Sequence, residues 1–185
     1  MTEFSNPKAL FESAWLRLKK STTTPGDPYR MTNMATVDLG GKPSNRMVVL
    51  RRVSIEERTL TVFSDSAASK CASLKANPAT AFCFWEASTG IQVRMTGQSK
   101  LVTGQAVRTD WANVRPQEQG RYRIEPTPGS KIPDANAYAL DGETRFTRID
   151  CVIDDVDILC LDQAQHTRLH ASFNEGEWVL DWWTP

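Results

Sequence analysis

Residues 46–53 are Arg-Met-Val-Val-Leu-Arg-Arg-Val, a run of β-branched and apolar residues that predicts a β-strand. Four further runs of this kind surround it and are separated by short polar or glycine-containing connections. Connections this short are typical of antiparallel hairpins. The five predicted strands are 31–38, 46–53, 59–64, 79–85 and 91–102.

Helix signals are few. Asn6-Pro7 and the apolar stripe behind it predict a helix over 7–20, and Asp65 or Ser66 is expected to cap a second helix that ends at Asn77-Pro78. A short helix is expected over 104–113, followed by an irregular, proline-rich connection over 116–142.

The C-terminal third is again rich in strand signals. Strands are expected near 146–153, 156–161 and 165–173, and 178–183 closes the chain. Eight or nine strands with about three helices indicate a mainly β (α+β) protein, an antiparallel barrel or strongly curled sheet formed by a single domain over 1–185.

Composition excludes several classes of protein. The 185 residues carry 22 Lys and Arg against 22 Asp and Glu, so the basic surface that nucleic-acid binding requires is not expected. The uncharged stretches are shorter than the roughly 18 apolar residues of a membrane-spanning helix. Four irregularly spaced cysteines and the polar N-terminus favour a cytoplasmic protein, and two histidines make a metal site a poor expectation.

Two basic segments suggest an anion site. Arg46, Arg51 and Arg52 lie at the ends of an apolar strand, where they either bind an anion or are simply exposed. Phe63-Ser64-Asp65 leads from a strand into a helix whose first turn carries Ser69 and Lys70, an arrangement that favours a phosphate. The alternative for this second segment is an ordinary capped helix with a solvated lysine.

Three other polar positions also have more than one interpretation. Gln92 lies inside an apolar strand, where it meets the polar edge of a planar heterocycle, forms a cross-strand hydrogen bond or is simply exposed on the outer face. In His166-Thr-Arg168-Leu-His170, strand alternation directs both imidazoles and the guanidinium to one side, which is either a binding face or a solvated one. Arg115 either reaches a ligand phosphate or favours a helix C-terminus.

Taken in order, these segments resemble the pyridoxamine 5'-phosphate oxidase family of FMN-binding split β-barrels, from Tyr29 to Pro185. The matching motifs are Arg46-Met-Val-Val-Leu-Arg51, Phe63-Ser-Asp with Ser69-Lys70, Gln92-Val-Arg-x-x-Gly97, Arg168-Leu-His170 and a terminal Trp178 with Thr-Pro. The resemblance implies an FMN-dependent oxidoreductase. It gives cofactor-binding roles to Arg46, Met47, Val48, Val49, Arg51, Phe63, Ser64, Ser69, Lys70 and Gln92.

The same resemblance implies a substrate site and a partner. Arg168 and His170 take catalytic and substrate-binding roles, and Arg115 binds the substrate phosphate. Family members form homodimers with FMN in the interface crevice, so a homodimer is expected here, with the Trp-rich stretch Trp178 to Trp183 consistent with self-association.

The chain departs from the family pattern at several positions. Arg51 stands for a lysine, Ser69 and Ser172 for arginines, Trp111 for a tyrosine and Gln119 for a serine, while Leu159 and Leu161 lie where the family has a tryptophan. These replacements leave the substrate open. They also leave an alternative open, a flavin-binding or haem-binding barrel without turnover.

Overall fold

The computed structural model describes residues 6–161 and 165–185. Eight strands and four α-helices make up most of it, together with 3-10 turns at Pro28–Arg30, Gly104–Val107 and Gly120–Tyr122. The helices are α1 (Pro7–Ser21), α2 (Ser69–Ala76), α3 (Arg108–Ala112) and α4 (Pro116–Gln119). The strands are β1 (Met31–Val37), β2 (Pro43–Ser54), β3 (Thr59–Asp65), β4 (Ala79–Glu86), β5 (Ile91–Val102), β6 (Phe146–Cys160), β7 (Thr167–Asn174) and β8 (Glu177–Trp183).

The strands form one antiparallel sheet in the order β3-β2-β1-β4-β5-β6-β7-β8, and an additional pairing of β3 with β6 closes it. Six strands therefore form a closed barrel, and β7 and β8 extend the sheet from β6. The prediction of a split β-barrel is confirmed. The order is not a simple meander, because the chain crosses from β3 through α2 to β4, which pairs with β1.

The strand β6 joins the barrel to its extension. Its first half pairs with β3, its second half pairs with β7, and β5 runs along both. The prediction of two separate strands here was wrong. The polar residues Asp154 and Asp155 do not end the strand, because Asp154 forms a bulge opposite Thr96 and Gly97 and the pairing with β5 continues on both sides of it. A Cβ on Gly97 would lie 2.0 Å from the Val152 carbonyl oxygen, so the close approach of β5 to β6 at the bulge requires glycine.

The barrel core is formed by inward-facing residues of all six barrel strands and is covered by α1. Trp15 and Leu18 of α1 are fully buried, and Phe11 packs on Trp178 of β8 with ring centroids 4.9 Å apart. A smaller aromatic cluster joins the 104–122 region to the start of β6, and it holds that region against the barrel. Its members are Val107, Trp111, Val114, Tyr122 and Phe146, with Phe63 and Val102.

The structure confirms the predicted start of the first helix but not that of the second. The first helix begins at Pro7 as predicted, with the Asn6 side chain accepting hydrogen bonds from two backbone N–H groups. The second begins at Ser69, later than expected, and its N-cap is Ala68. Asp65 instead accepts a bond from the Ala67 amide in the turn before the helix.

The cysteines Cys71, Cys83, Cys151 and Cys160 are free thiols. Within 6–161 and 165–185, no helix is long and apolar enough to span a bilayer.

Candidate functional site

A bulge in β2 positions Arg51. The pairing of β2 with β3 shifts between Leu50 and Arg52, so Arg51 is the extra residue, and a bulge of this kind redirects the side chain it carries. The Arg51 guanidinium lies 5.4 Å from the centre of the Phe63 ring on β3. Its Nε is buried and has no hydrogen-bond partner in the described chain. A buried, unpartnered donor of this kind is available to a ligand.

A cavity of about 300 Å³ opens beside this arginine, between β2, β3 and the start of α2. Seven of the ten residues predicted to bind a cofactor line it, and they come from three separate segments of the chain. These are Met47, Val48, Val49, Arg51, Phe63, Ser64 and Lys70.

Lys70, in the first turn of α2, brings a half-buried positive charge to this cavity. Its Nζ donates to the Ser64 hydroxyl at 3.0 Å, and Ser64 is itself buried. The nearby Asp65 carboxylate is bound by Arg145 instead. Burial lowers the pKa of Lys70, and the neighbouring charge of Arg46 lowers it further. An anion entering the cavity would relieve this unfavourable burial.

Arg46 lies near Lys70 but does not line the cavity. It lies on the inward side of β2, opposite Met34, and donates to the Thr36 hydroxyl at 2.9 Å and the Ser44 hydroxyl at 2.9 Å. These acceptors are neutral, and burial lowers the pKa of Arg46. Its field therefore adds to the positive potential of the cavity without direct contact. Ser69 is exposed and is not among the lining residues.

Gln92 lies elsewhere on the outer surface of the same sheet. It pairs with Trp85 on one side and with Leu159 on the other, and Leu159 pairs with Arg168. Three strand steps separate β5 from β2, about 14 Å along the sheet. A single chain therefore does not bring Gln92 to the cavity that Lys70 lines.

Arg168 and His170 share that outer face and are held by carboxylates. Arg168 and Arg94 both donate to Asp157, at 2.7 and 2.6 Å. His170 Nε2 lies 2.6 Å from Asp155, and its ring stacks on Trp183 with centroids 4.0 Å apart. The prediction that Arg168 and His170 face one side is met. His166 precedes the first residue of β7 and is not part of that strand.

The two regions are nevertheless parts of one surface. Register connects Met47, which lines the cavity, across β1, β4, β5 and β6 to His170 through one row of paired residues. That row is Met47, Asn33, Cys83, Arg94, Asp157 and His170. The cavity thus opens at one end of the face on which Gln92, Arg168 and His170 lie.

Arg115 lines a second cavity of about 420 Å³ next to the first. The two cavities share Arg51 and Phe63, and the second also contains Arg30 and Glu118. Glu118 accepts a hydrogen bond from Arg115 and lies 3.7 Å from Arg51. The hydrogen bond from Arg115 lowers the pKa of Glu118. The site therefore holds an internal carboxylate that sequence reasoning missed.

The connection over 116–142 also contributes more than the sequence indicated. It contains α4 and a 3-10 turn, and Arg121, Tyr122, Ile124 and Pro128 line the first cavity. The signal available was a tyrosine and an arginine in an otherwise irregular, proline-rich stretch, which does not specify where the chain folds.

Comparison with known proteins agrees with this geometry. The family model described as "Pyridoxamine 5'-phosphate oxidase, FMN-binding domain" matches residues 12–103. A pyridoxine/pyridoxamine 5'-phosphate oxidase of Rhodospirillum rubrum is 38% identical over 139 residues, which cover 66% of this chain and 68% of that protein. Another, of Pseudomonas putida, is 32% identical over 141 residues and covers 76% of this chain and 63% of that protein.

Other relatives match over less of their length. A third oxidase, of Pseudomonas paraeruginosa, is 35% identical over 101 residues, which cover 55% of this chain and 46% of that protein. The chain thus spans about half the length of several curated relatives that it matches.

Two solved structures share the fold. A pyridoxamine 5'-phosphate oxidase-related, FMN-binding protein of Nostoc punctiforme has a TM-score of 0.78 and 20% identity over 95% of this chain and 97% of its own. PhzG of Burkholderia lata, solved with tetrahydrophenazine-1-carboxylic acid, has a TM-score of 0.75 and 18% identity over 100% of this chain and 95% of its own.

The closed antiparallel barrel, the basic cavity at its strand-to-helix turn and the matching family model place the chain in the class of FMN-binding split-barrel proteins. Within that class, the chain belongs to the pyridoxamine 5'-phosphate oxidase family.

Proposed function

We propose that this protein is an FMN-dependent oxidoreductase that transfers hydride between FMN and a small anionic or phosphorylated substrate. The observation that carries the proposal is the first cavity, which is lined by Lys70, with no carboxylate of the described residues paired to it, and by Arg51, whose buried Nε has no hydrogen-bond partner there. The residues present fit the cofactor, because a phosphate is the type of anion that an ammonium, a hydroxyl and a guanidinium bind together.

Bound FMN would supply the hydride chemistry, and the chain would supply position and charge. Lys70 and Ser64 are suited to the phosphate. Met47, Val48 and Val49 of β2 offer a mainly apolar wall for the planar ring, and Arg51, aimed by its bulge, reaches both cavities.

The second cavity is suited to the substrate. Arg30, Arg51 and Arg115 give it three guanidinium groups against the one carboxylate of Glu118. The excess positive charge favours an anionic group, such as the phosphate of pyridoxamine 5'-phosphate or the carboxylate of an aromatic acid. Because the cavities share a wall, a substrate held there would lie against the cofactor.

We further propose that the working form is a homodimer. Gln92, Arg168 and His170 lie on the outer face of the sheet, away from the first cavity of their own chain. A second copy packed on this face would bring its own Gln92, Arg168 and His170 beside that cavity. Exposed apolar side chains, including Met31, Met47 and Trp183, support such a contact. Light scattering should give about twice the 20.7 kDa chain mass, and one chain mass would refute the dimer.

A visible absorption spectrum tests the cofactor. The purified protein should be yellow, or should become so on addition of FMN and remain so after gel filtration. A colourless preparation that does not take up FMN would refute the proposal. The same preparation with dithionite tests haem, which gives a distinct reduced spectrum.

A second candidate is a flavin-binding protein without turnover. It is favoured by the pairing of Arg168 and His170 with Asp157 and Asp155, which leaves these side chains engaged within their own chain. Hydrogen peroxide release with pyridoxamine 5'-phosphate or an aromatic carboxylate, under oxygen, separates the two candidates. Absence of peroxide with every substrate, in an FMN-loaded protein, would favour the second.

We also propose that residues 1–185 form one FMN-binding domain and that the protein is cytoplasmic. The four free cysteines support a reducing compartment.

A further inference from the structure

The segment 121–128, after α4, forms one wall of the first cavity. Arg121, Tyr122, Ile124 and Pro128 line it, opposite the residues of β2, β3 and α2. This wall therefore comes from a part of the chain with no recognisable binding motif.

The segment is held in place by packing and by ion pairs. Tyr122 is buried, with its ring 5.1 Å from that of Phe146 and 6.0 Å from that of Trp111. Arg145 donates to the Ile124 carbonyl oxygen, to Glu125 at 3.0 Å and to the Asp65 carboxylate at 3.2 Å. The wall is thus fastened to the turn that precedes α2.

The charges along the cavity are unbalanced. Its ionisable lining groups, apart from the tyrosine, are Arg51, Asp65, Lys70 and Arg121. Asp65 is engaged by Arg145, and Arg51 has Glu118 at 3.7 Å. In residues 6–161 and 165–185, neither Lys70 nor Arg121 has a carboxylate oxygen within 4.0 Å of its charged nitrogens. Two unpaired cations match the charge of a phosphate monoester, about −1.5 to −2 at neutral pH.

We infer that Arg121 is a direct ligand of the anionic group that this cavity takes and that segment 121–128 is its roof. Resting on the proposed function, the anion is the FMN phosphate, held between Arg121 on the roof and Lys70 on α2. Arg121 is the exposed, charged end of the roof, and Tyr122, Ile124 and Pro128 form its remaining wall.

Titration with FMN and with riboflavin, which lacks the phosphate, tests this inference. The proteins are the wild type, Arg121→Ala, Arg121→Lys and the matched control Arg123→Ala. Arg123 belongs to the same segment but donates to the Thr144 hydroxyl and lies near Trp111, outside the cavity. Arg121→Ala should raise the dissociation constant for FMN about 10-fold to 100-fold and leave that for riboflavin within about twofold. Arg121→Lys should be intermediate, and Arg123→Ala should resemble the wild type.

Each of the other outcomes refutes either the role of Arg121 alone or the role of Arg121 together with the cofactor assignment. FMN affinity unchanged in Arg121→Ala overturns the inference and leaves the cofactor assignment intact. Equal losses in Arg121→Ala and Arg123→Ala, or equal losses for FMN and riboflavin, also overturn it, because they indicate only a disturbed segment. A wild-type chain that does not bind FMN overturns both the cofactor assignment and the inference.

Discussion

Two regions of the molecule place positive charge in opposite environments. On the outer face of β5–β7, Arg94 and Arg168 share the Asp157 carboxylate, and His170 contacts Asp155. Beside β2 and α2, Arg46 and Lys70 donate to hydroxyl and carbonyl oxygens, and neither forms an ion pair with a carboxylate of residues 6–161 and 165–185.

This difference separates charges that stabilise the fold from charges that are available to a ligand. Burial alone would raise the pKa of Asp157, but hydrogen bonds from Arg168 and Arg94 lower it below its usual value. Burial lowers the pKa of Lys70, and the Ser64 hydroxyl carries no charge to offset this. A buried cation with neutral partners costs folding free energy and gains it back when an anion binds.

Replacing Lys70 should have the largest effect, with opposite signs on binding and on stability. Lys70→Met removes one charge-assisted contact, so FMN affinity should fall by about 1.5–3 kcal/mol, or roughly 10-fold to 150-fold. The free energy of unfolding of the FMN-free protein should rise by about 1 kcal/mol, because methionine fills the space without a buried charge. FMN titration and urea unfolding measure the two effects.

The pH dependence of that stability gain sharpens the comparison. The pKa of Lys70 in the folded chain lies below its ordinary 10.5, so the unfolded chain binds more protons and wild-type stability rises with pH in this window. The advantage of Lys70→Met should therefore be greatest below the folded pKa and shrink as the pH approaches 10.5.

An unchanged FMN affinity in Lys70→Met would show that α2 does not hold the phosphate. The control is Lys75→Met, at an exposed position on the same helix.

Replacing Asp157 should affect stability in the other direction. Asp157→Asn leaves two guanidinium groups without their carboxylate, and the free energy of unfolding should fall by about 2 kcal/mol, a value reduced by solvent screening of the half-exposed Arg94. The loss should be present above pH 3.8, the ordinary pKa, and disappear as the pH falls through the lower pKa of the folded chain.

Urea unfolding at neutral pH and near pH 3 measures this loss, with the exposed Asp154→Asn as control. FMN affinity should change little in Asp157→Asn, because neither Asp157 nor its partners Arg94 and Arg168 line the cavity that contains Lys70. A large loss of FMN affinity with normal stability would reverse the assignment of roles to the two regions.

The sequence predicted the elements better than the connections between them. Local signals located the first helix and the five strands of 31–102, because periodicity and turn residues are short-range properties. The pairing of β3 with β6 and the continuity of β6 across Asp154-Asp155 depend on register with distant strands. No local pattern encodes such register.

The site was predictable in type and less so in arrangement. Lys70, Ser64 and Phe63 meet as expected because they belong to one strand-to-helix turn. Arg46 faces the inner side of β2, and only the register with β1 determines that direction. Arg121 was missed because its segment has no periodicity and reaches the cavity through tertiary packing alone.

The smallest expected effect comes from replacing Glu118. This change removes the carboxylate with which two arginines of the second cavity are paired, so it tests the contrast between paired and unpaired cations directly. Glu118→Gln removes the carboxylate beside Arg51 and Arg115, and both guanidinium groups then become available to a ligand. The affinity of the second cavity for an anion, measured by titration with inorganic phosphate, should rise about threefold to fivefold, as expected for the loss of one partly exposed ion pair. The exposed Glu143→Gln, which makes the same change in net charge, should have no such effect. A weaker phosphate affinity in Glu118→Gln would instead mean that the carboxylate orients the two arginines, and the contrast between paired and available cations would not extend to this cavity.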